Sequence, residues 1–247
     1  MTKLLRAELH KVTATPITWW LLLGTVAIGV LGTLAPLIAV DGKPVDLLSD
    51  QQLQSAMHGA AGGSILVMVA GIIGMAGEWR FGQVTQAFLT TPQRRQVVAA
   101  KTIIYLGVGL LYGLAASVTA TAAAAGWYRA KDLALPYERS AVWLTLLGCL
   151  AVSVLLGALG VAVGAIARNL VAAIVVALAW TVLIEPALFA AAPAVFRWLP
   201  GIAALSLRRQ PREDLLPVET AAVVLIGVIV LVMVIGLRQV DRDDVTA

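Results

Sequence analysis

Long runs of apolar residues, separated by short polar connections, dominate the chain. A helix of about 20 apolar residues crosses a bilayer core about 30 Å thick. Six runs fit this requirement: 17–40, 57–77, 102–128, 141–167, 170–191 and 220–237. The pattern therefore predicts a single domain of six transmembrane helices.

The fourth and fifth runs are separated only by Arg168 and Asn169. One continuous helix over residues 141–191 would be about 76 Å long at 1.5 Å per residue, which no bilayer accommodates. The sequence therefore predicts that the chain reverses at these two residues.

Composition supports this assignment, with 60% hydrophobic and only 13% charged residues among 247. Ordinary soluble domains carry about 25% charged residues, and disordered chains are less hydrophobic. Cys149 is the only cysteine, which excludes a disulfide-built scaffold. The net charge of +4 is scattered over many connections, a pattern typical of membrane loops, and nucleic acid is not an expected partner.

Six spans place both termini on the same side of the membrane. Lys3, Arg6 and Lys11 precede the first run, and Lys43 alone lies in the connection that follows it. Basic residues favour the cytoplasmic side, and the first span usually dominates orientation. The sequence predicts cytoplasmic termini, with ten basic residues inside and eight outside.

Residues 1–15 have the spacing of a short amphipathic helix. Leu5, Leu9 and Val12 recur at helical intervals among basic positions, and Pro16 follows. Such a helix can lie on a membrane surface, although a simple basic flank would also fit. His10 and His58 are isolated and predict no metal site.

Small residues recur at close spacing inside the second, third and fourth runs. Glycines at such intervals let helix backbones approach closely in lipid. We expect helix packing at Gly71, Gly74, Gly77, Gly109, Gly113, Gly157, Gly160 and Gly164.

The connection 78–101 has more pattern than a simple linker requires. Phe81, Val84 and Phe88 form an apolar stripe at helical spacing. Thr91 and Pro92 then suit the start of a second helix. The sequence predicts helix, break and helix; the alternative is a segment lying passively on lipid.

The order of these elements resembles the ABC-2-type transporter permease family, the membrane half of ATP-driven exporters. The matching features are a basic surface helix, six spans, a long connection between spans two and three, and a short turn between spans four and five. The connection carries the most specific resemblance, in Glu78, Arg80, Gly82, Thr85, Pro92, Arg94, Arg95 and Lys101. Gln83 follows Gly82 where the family often has threonine, which weakens any role for Thr85.

The resemblance implies an all-α integral membrane fold with an N-terminal amphipathic surface helix and a cytoplasmic coupling helix between spans two and three. It also implies a bacterial cytoplasmic membrane, a separate cytoplasmic P-loop ATPase and a second permease chain, with a homodimer the usual arrangement. The residues expected to couple to the ATPase are Glu78, Arg80, Phe81, Gly82, Val84, Thr85, Phe88, Pro92, Arg94 and Arg95.

This chain itself has no phosphate-binding loop, because its one Gly-Lys pair, Gly42-Lys43, is followed by Pro44. ATP and Mg²⁺ are therefore expected on the partner. No enzymatic activity, cofactor, catalytic residue or metal ligand is assigned to this chain.

Glu185 and Pro186 lie in the fifth run, about 22 Å from its start. A carboxylate at that depth must face protein or water, and proline interrupts the helical hydrogen bonds. The pair is either a structural kink or a gate or proton-sensing group. Trp180, the one tryptophan deep in a run, suits helix packing or a substrate path.

The connection 192–219 holds four prolines. In the family the corresponding region forms two short re-entrant helices, for which 195–199 and 202–207 are apolar enough. A disordered outer loop is the alternative.

Three other functional classes stay open. An ion-coupled transporter would need intramembrane ionisable groups, of which Glu185 is the single candidate; an intramembrane hydrolase would need motifs that the chain lacks. A non-transporting scaffold is the third. Because the spans offer hydroxyls such as Ser117 and Thr121 but almost no charge, an apolar or amphipathic substrate is expected.

Overall fold

The computed structural model describes residues 2–40, 47–80, 94–167 and 169–242, without the side chains of 78–80, 94 and 240–242. Every regular element in these ranges is helical. The helices are α1 (Thr2–Ala14), α2 (Pro16–Ala39), α3 (Asp50–Met57), α4 (Ser64–Arg80), α5 (Arg94–Arg129), α6 (Ser140–Ile166), α7 (Leu170–Ala179), α8 (Glu185–Ala191), α9 (Pro193–Phe196), α10 (Pro200–Leu207) and α11 (Val218–Arg242). A 3₁₀ turn, His58–Ala61, follows α3, and a π-helical turn, Trp180–Ile184, joins α7 to α8.

Six helical segments are long and apolar enough to cross a membrane, as in a multi-pass membrane protein. They are Pro16–Ala39, Asp50–Gly77, Arg95–Arg129, Ser140–Ile166, Leu170–Ala191 and Val218–Gln239. The predicted number of spans is confirmed, but two boundaries were wrong. The second segment begins seven residues early because the Ser49 hydroxyl accepts a hydrogen bond from Gln52 N and starts α3 there. The third extends back through the polar turn at Arg95.

The chain reverses between α6 and α7, as predicted. The Asn169 side-chain oxygen accepts hydrogen bonds from Val171 N and Ala172 N, at 3.0 and 3.1 Å, and so caps α7. Glu185, after α7, lies against Gly201 of α10, and the end of α10 contacts Gly148 near the start of α6. The two spans are therefore antiparallel.

Alternating spans give the bundle two distinct ends. We call the end that carries α1, the start of α2, the end of α4 and the start of α5 the terminal end. The other end, with α3, α9 and α10, is the far end. All six spans connect these two ends.

Helix α6 occupies the middle of the bundle and packs on α4, α5 and α11. Its crossing with α4 is backbone to backbone: a Cβ added at Gly71 or Gly160 would overlap backbone atoms of the opposite helix. Close packing is confirmed for seven of the eight predicted glycines, all except Gly77, whose Cβ position has no described atom within 4 Å. Helices α2, α7 and α11 lie outside, since only 17–22% of the residues in the most apolar parts of their spans are buried.

The connection after α8 contains two ordered short helices, α9 and α10, each beginning at a proline. Ile202, Ala203 and Leu207 of α10 are buried, and α10 packs against α11. The alternative of a disordered loop is therefore wrong for this segment. The bounds of the two short helices differ by a few residues from the expected 195–199 and 202–207.

Candidate functional site

The predicted coupling residues cluster around the connection between α4 and α5, at the terminal end. Glu78 and Arg80 lie in the last turn of α4, and Arg94 and Arg95 begin α5. The others lie outside the described residues: Phe81, Gly82, Val84, Thr85, Phe88 and Pro92. The apolar stripe therefore stays a prediction.

Helix α1 packs against the base of this connection. The Glu8 carboxylate accepts hydrogen bonds from Lys101 Nζ at 2.6 Å and Lys11 Nζ at 2.7 Å. Lys101 Nζ also donates to the Gly74 carbonyl oxygen of α4 at 3.0 Å. One buried ammonium group thus links three helices, α1, α4 and α5.

The protein-facing side of α1 carries a residue outside the predicted apolar stripe. The two buried residues of α1 are Glu8 and Val12, one turn apart, whereas Leu9 is 50% exposed. Val12 packs with Val98 and Tyr105 of α5. A helix is present where one was predicted, its role as a membrane-surface helix stays a prediction, and the burial of Glu8 was not predicted.

The electrostatics of Glu8 favour its charged form. Desolvation by burial raises the pKa of this carboxyl, but the charge and hydrogen bond of Lys101, assisted by Lys11, outweigh it, and the net pKa lies below the ordinary value. Glu8 is therefore ionised at neutral pH and paired with the buried Lys101 ammonium.

A cavity of about 470 Å³ lies beside this ion pair, between α1, α2, α4 and α5. Its polar wall includes Glu8, Lys11 and Lys101, and its apolar wall includes Leu21 and Ile73. This volume is within the roughly 300–1,000 Å³ typical of ligand sites.

The second candidate, Glu185, is buried at the junction of the π-helical turn and α8, with 1% of its surface exposed. Its Oε1 accepts a hydrogen bond from the Trp180 indole nitrogen at 2.5 Å. The carboxyl also lies near the Gly201 and Ile202 amides, but Oε2 receives no hydrogen bond of good geometry among the described residues. A Cβ at Gly201 would overlap this oxygen.

Pro186 explains the local geometry. Its ring lacks an N–H and crowds the preceding helical turn, and the backbone widens there, so that Glu185 N donates to Trp180 O. The wider turn places Glu185 beneath the first turn of α10. The carboxyl therefore lies between the fifth span and the first turn of α10.

The two predicted sites are not brought together. The coupling residues lie at the terminal end and the Glu185–Pro186 pair lies toward the far end. Trp180 is 41% exposed, and its indole nitrogen donates to Glu185 within the same span.

Sequence reasoning missed the Glu8–Lys101 pair. The available signal was that α1 contains a single acidic residue, Glu8, beside three basic residues and one histidine. Its partner is 93 positions away, and no local pattern identifies so distant a contact.

No known protein-family model and no curated protein matches this chain in sequence.

Proposed function

We propose that this chain is the permease subunit of an ATP-driven exporter in the bacterial cytoplasmic membrane. In this proposal its spans form the path for an apolar or amphipathic substrate, while a separate cytoplasmic P-loop ATPase binds ATP and Mg²⁺ and hydrolyses the nucleotide. A second permease chain, in the simplest case an identical copy, completes the path. Six apolar helices of membrane-spanning length support it.

The observation that carries the proposal is the buried link at the base of the 81–93 connection. Lys101 joins α5 to Glu8 of α1 and to the Gly74 carbonyl of α4. Helices α4 and α5 flank the connection, and each belongs to the packed interior through α6. A partner that pushed on this connection would therefore move two spans and α1 together, as coupling to ATP hydrolysis requires.

The proposal places both termini and the 81–93 connection in the cytoplasm. The exposed basic residues Lys3, Arg6 and Lys11 of α1 favour this orientation, since cytoplasmic segments are enriched in lysine and arginine. The ATPase would then approach the terminal end of the bundle.

An ion-coupled transporter is the second candidate, because Glu185 is a buried ionisable group inside a span. Its contacts favour a structural role, since Trp180 and the start of α10 surround the carboxyl. If the chain is a scaffold without transport activity, we expect neither ATPase binding nor substrate movement.

The first experiment is co-purification of the chain with the P-loop ATPase encoded nearest to its gene. Reconstitution in vesicles then measures ATP hydrolysis with and without a panel of amphipathic substrates. Stable association and substrate-stimulated hydrolysis are expected. Transport that persists without any ATPase and follows an ion gradient would replace the proposal with the second candidate.

The coupling role of residues 78–92 has a sharper test. Buried aromatic anchors dominate protein interfaces, and truncating one often costs about 2 kcal/mol or more, while rim charges act more on association rate. Phe81→Ala with Phe88→Ala should therefore weaken ATPase capture more than Arg94→Ala, at equal permease levels in the membrane. Undiminished capture by the double variant would remove this segment as the coupling helix.

A further inference from the structure

The cavity beside α1 has the two-sided lining of an amphiphile site. Lys11 and Lys101 face Glu8 on one wall, and Ile17, Leu21 and Ile73 form the other. A ligand that fits both walls must carry a negatively charged head and an apolar body.

Charge continues from this cavity along α1. His10 lines the cavity and also an adjoining depression of about 380 Å³ that includes Lys3 and Arg6. The one acidic side chain of α1, Glu8, is buried and paired with Lys101. The exposed face of α1 therefore presents Lys3, Arg6, His10 and Lys11 to an approaching anion.

Part of the cavity lining is exposed at the start of the first span. Thr15 and Ile17, where α1 passes into α2, line the cavity and are exposed, and we call this part its mouth. Trp19 and Trp20 follow directly and are 49% and 71% exposed. Exposed tryptophans at the start of a span mark the interface between headgroups and hydrocarbon, so a lipid can reach the cavity from the side.

We propose that this cavity binds the phosphate headgroup of an acidic phospholipid. Lys11 and His10 bind the phosphate at the mouth, and the upper part of an acyl chain lies along Leu21 and Ile73. Basic pockets between membrane helices bind lipid headgroups, because the attraction of the charged headgroup and the burial of the acyl chain act on the same lipid molecule. The site is independent of any ATPase or transported substrate.

Gly77 provides a direct test by filling the cavity. It lines the cavity, and a Cβ there meets no described atom within 4 Å. Gly77→Leu should fill the space without a clash at Cβ. Gly227→Leu is the matched control, since Gly227 is an exposed position of α11 with equally open surroundings and gains the same helix propensity.

Charge provides the second test. Lys11→Gln removes a cation from the cavity, whereas Lys3→Gln removes one from the same helix away from it. The purified chain is placed in nanodiscs of phosphatidylcholine with or without phosphatidylglycerol, and bound lipid is counted by native mass spectrometry. Inorganic phosphate and phosphatidylglycerol are titrated separately against the detergent-solubilised protein, with thermal unfolding as the readout.

We expect preferential retention of phosphatidylglycerol by the parent chain, by Gly227→Leu and by Lys3→Gln. Retention should fall about tenfold in Lys11→Gln, the loss of one charge-assisted contact, and at least as far in Gly77→Leu. Equal retention by Gly77→Leu overturns the proposal, as does an equal loss from Lys3→Gln, which indicates diffuse surface attraction. Stabilisation by inorganic phosphate to the same extent as by the lipid identifies a free-anion site and likewise overturns it.

Discussion

Lys101 Nζ lies 2.6 Å from Glu8 Oε2, and the two side chains are only 2% and 4% exposed. Lys11 pairs with the other oxygen of the same carboxylate but is 46% exposed. Removing one partner of a buried ion pair leaves an uncompensated charge, whereas an exposed pair contributes little. The two lysines should therefore differ sharply in their effects on stability.

We first predict that Glu8→Gln lowers the free energy of unfolding by about 3–5 kcal/mol, because Lys101 is left buried without its carboxylate. Lys11→Gln should cost less than about 1 kcal/mol. The measurement is thermal or denaturant unfolding in one detergent.

The double variant Glu8→Gln, Lys101→Gln is the control for this prediction. It removes both charges, so its cost should be clearly smaller than the sum of the two single costs. Additive costs would mean that the two side chains do not interact.

The same pair predicts how α1 responds to acid. The pKa of Glu8 lies below its ordinary value of 4.5, so its contribution to stability is fully present above about that pH and is lost as pH falls through the lower folded pKa. The protection factors of the α1 amides, which correct for the pH dependence of intrinsic exchange, should be unchanged from pH 7 to pH 5 and fall in stronger acid. Glu8→Gln should show low protection at every pH; a parent helix without protection at pH 7 would contradict the docked arrangement.

Glu185 should prove structural for α10. Glu185→Gln keeps an oxygen that accepts from the Trp180 indole but replaces Oε2, which lies beside Gly201, with an amide NH₂. This second donor group would face the free N–H groups of the first turn of α10. We expect normal insertion and faster amide exchange at 202–207. Trp180→Phe tests the other contact, and unchanged exchange in both variants would assign the hold on α10 to apolar packing alone.

The crossing of α4 and α6 gives a prediction from packing. Gly160→Ala inserts a methyl where the Met68 carbonyl oxygen lies, and such overpacking typically costs about 1–3 kcal/mol. Gly77→Ala, on the facing helix α4, has open space at Cβ and should be neutral or stabilising because alanine favours helix. Equal decreases in melting temperature for Gly160→Ala and Gly77→Ala would contradict the close backbone contact between α4 and α6.

Orientation can be measured with single cysteines in a Cys149→Ala background. With cytoplasmic termini, Gln93→Cys should resist an impermeant thiol reagent in intact cells, while Arg209→Cys at the far end should react. The reverse labelling would invert the chain and remove the 81–93 connection from the reach of a cytoplasmic ATPase.

Sequence patterns predicted the spans well because apolar length is a local property of the chain. The reversal at Arg168 and Asn169 followed from the same argument, since a continuous helix is too long. The start of the second span was wrong because Asp50, Gln51 and Gln52 are polar yet helical, capped by Ser49. Hydropathy does not detect a cap of this kind.

The candidate sites were harder to predict. The environment of Glu185 depends on Gly201. The chain reverses after α8, and the short helices α9 and α10 then bring Gly201 back beside the Glu185 carboxyl. The Glu8–Lys101 pair depends on packing between distant segments. Helical periodicity identified the apolar stripe of α1, but it scores only apolarity and cannot represent a buried charge paired with a residue of another helix.

The π-helical turn at Trp180–Ile184 has a geometric consequence for the whole fifth span. A π-turn absorbs one extra residue, so the residues beyond it point about 100° away from the direction that a continuous α-helix of the same sequence would give them. Residues 170–179 and 185–191 therefore follow two angular frames, and Glu185 faces α10 only in the second. Deleting one residue between Trp180 and Ile184 would let the turn close as ordinary α-helix with the carboxyl still beside Gly201, whereas forcing all the same residues into one α-helix would turn the carboxyl away.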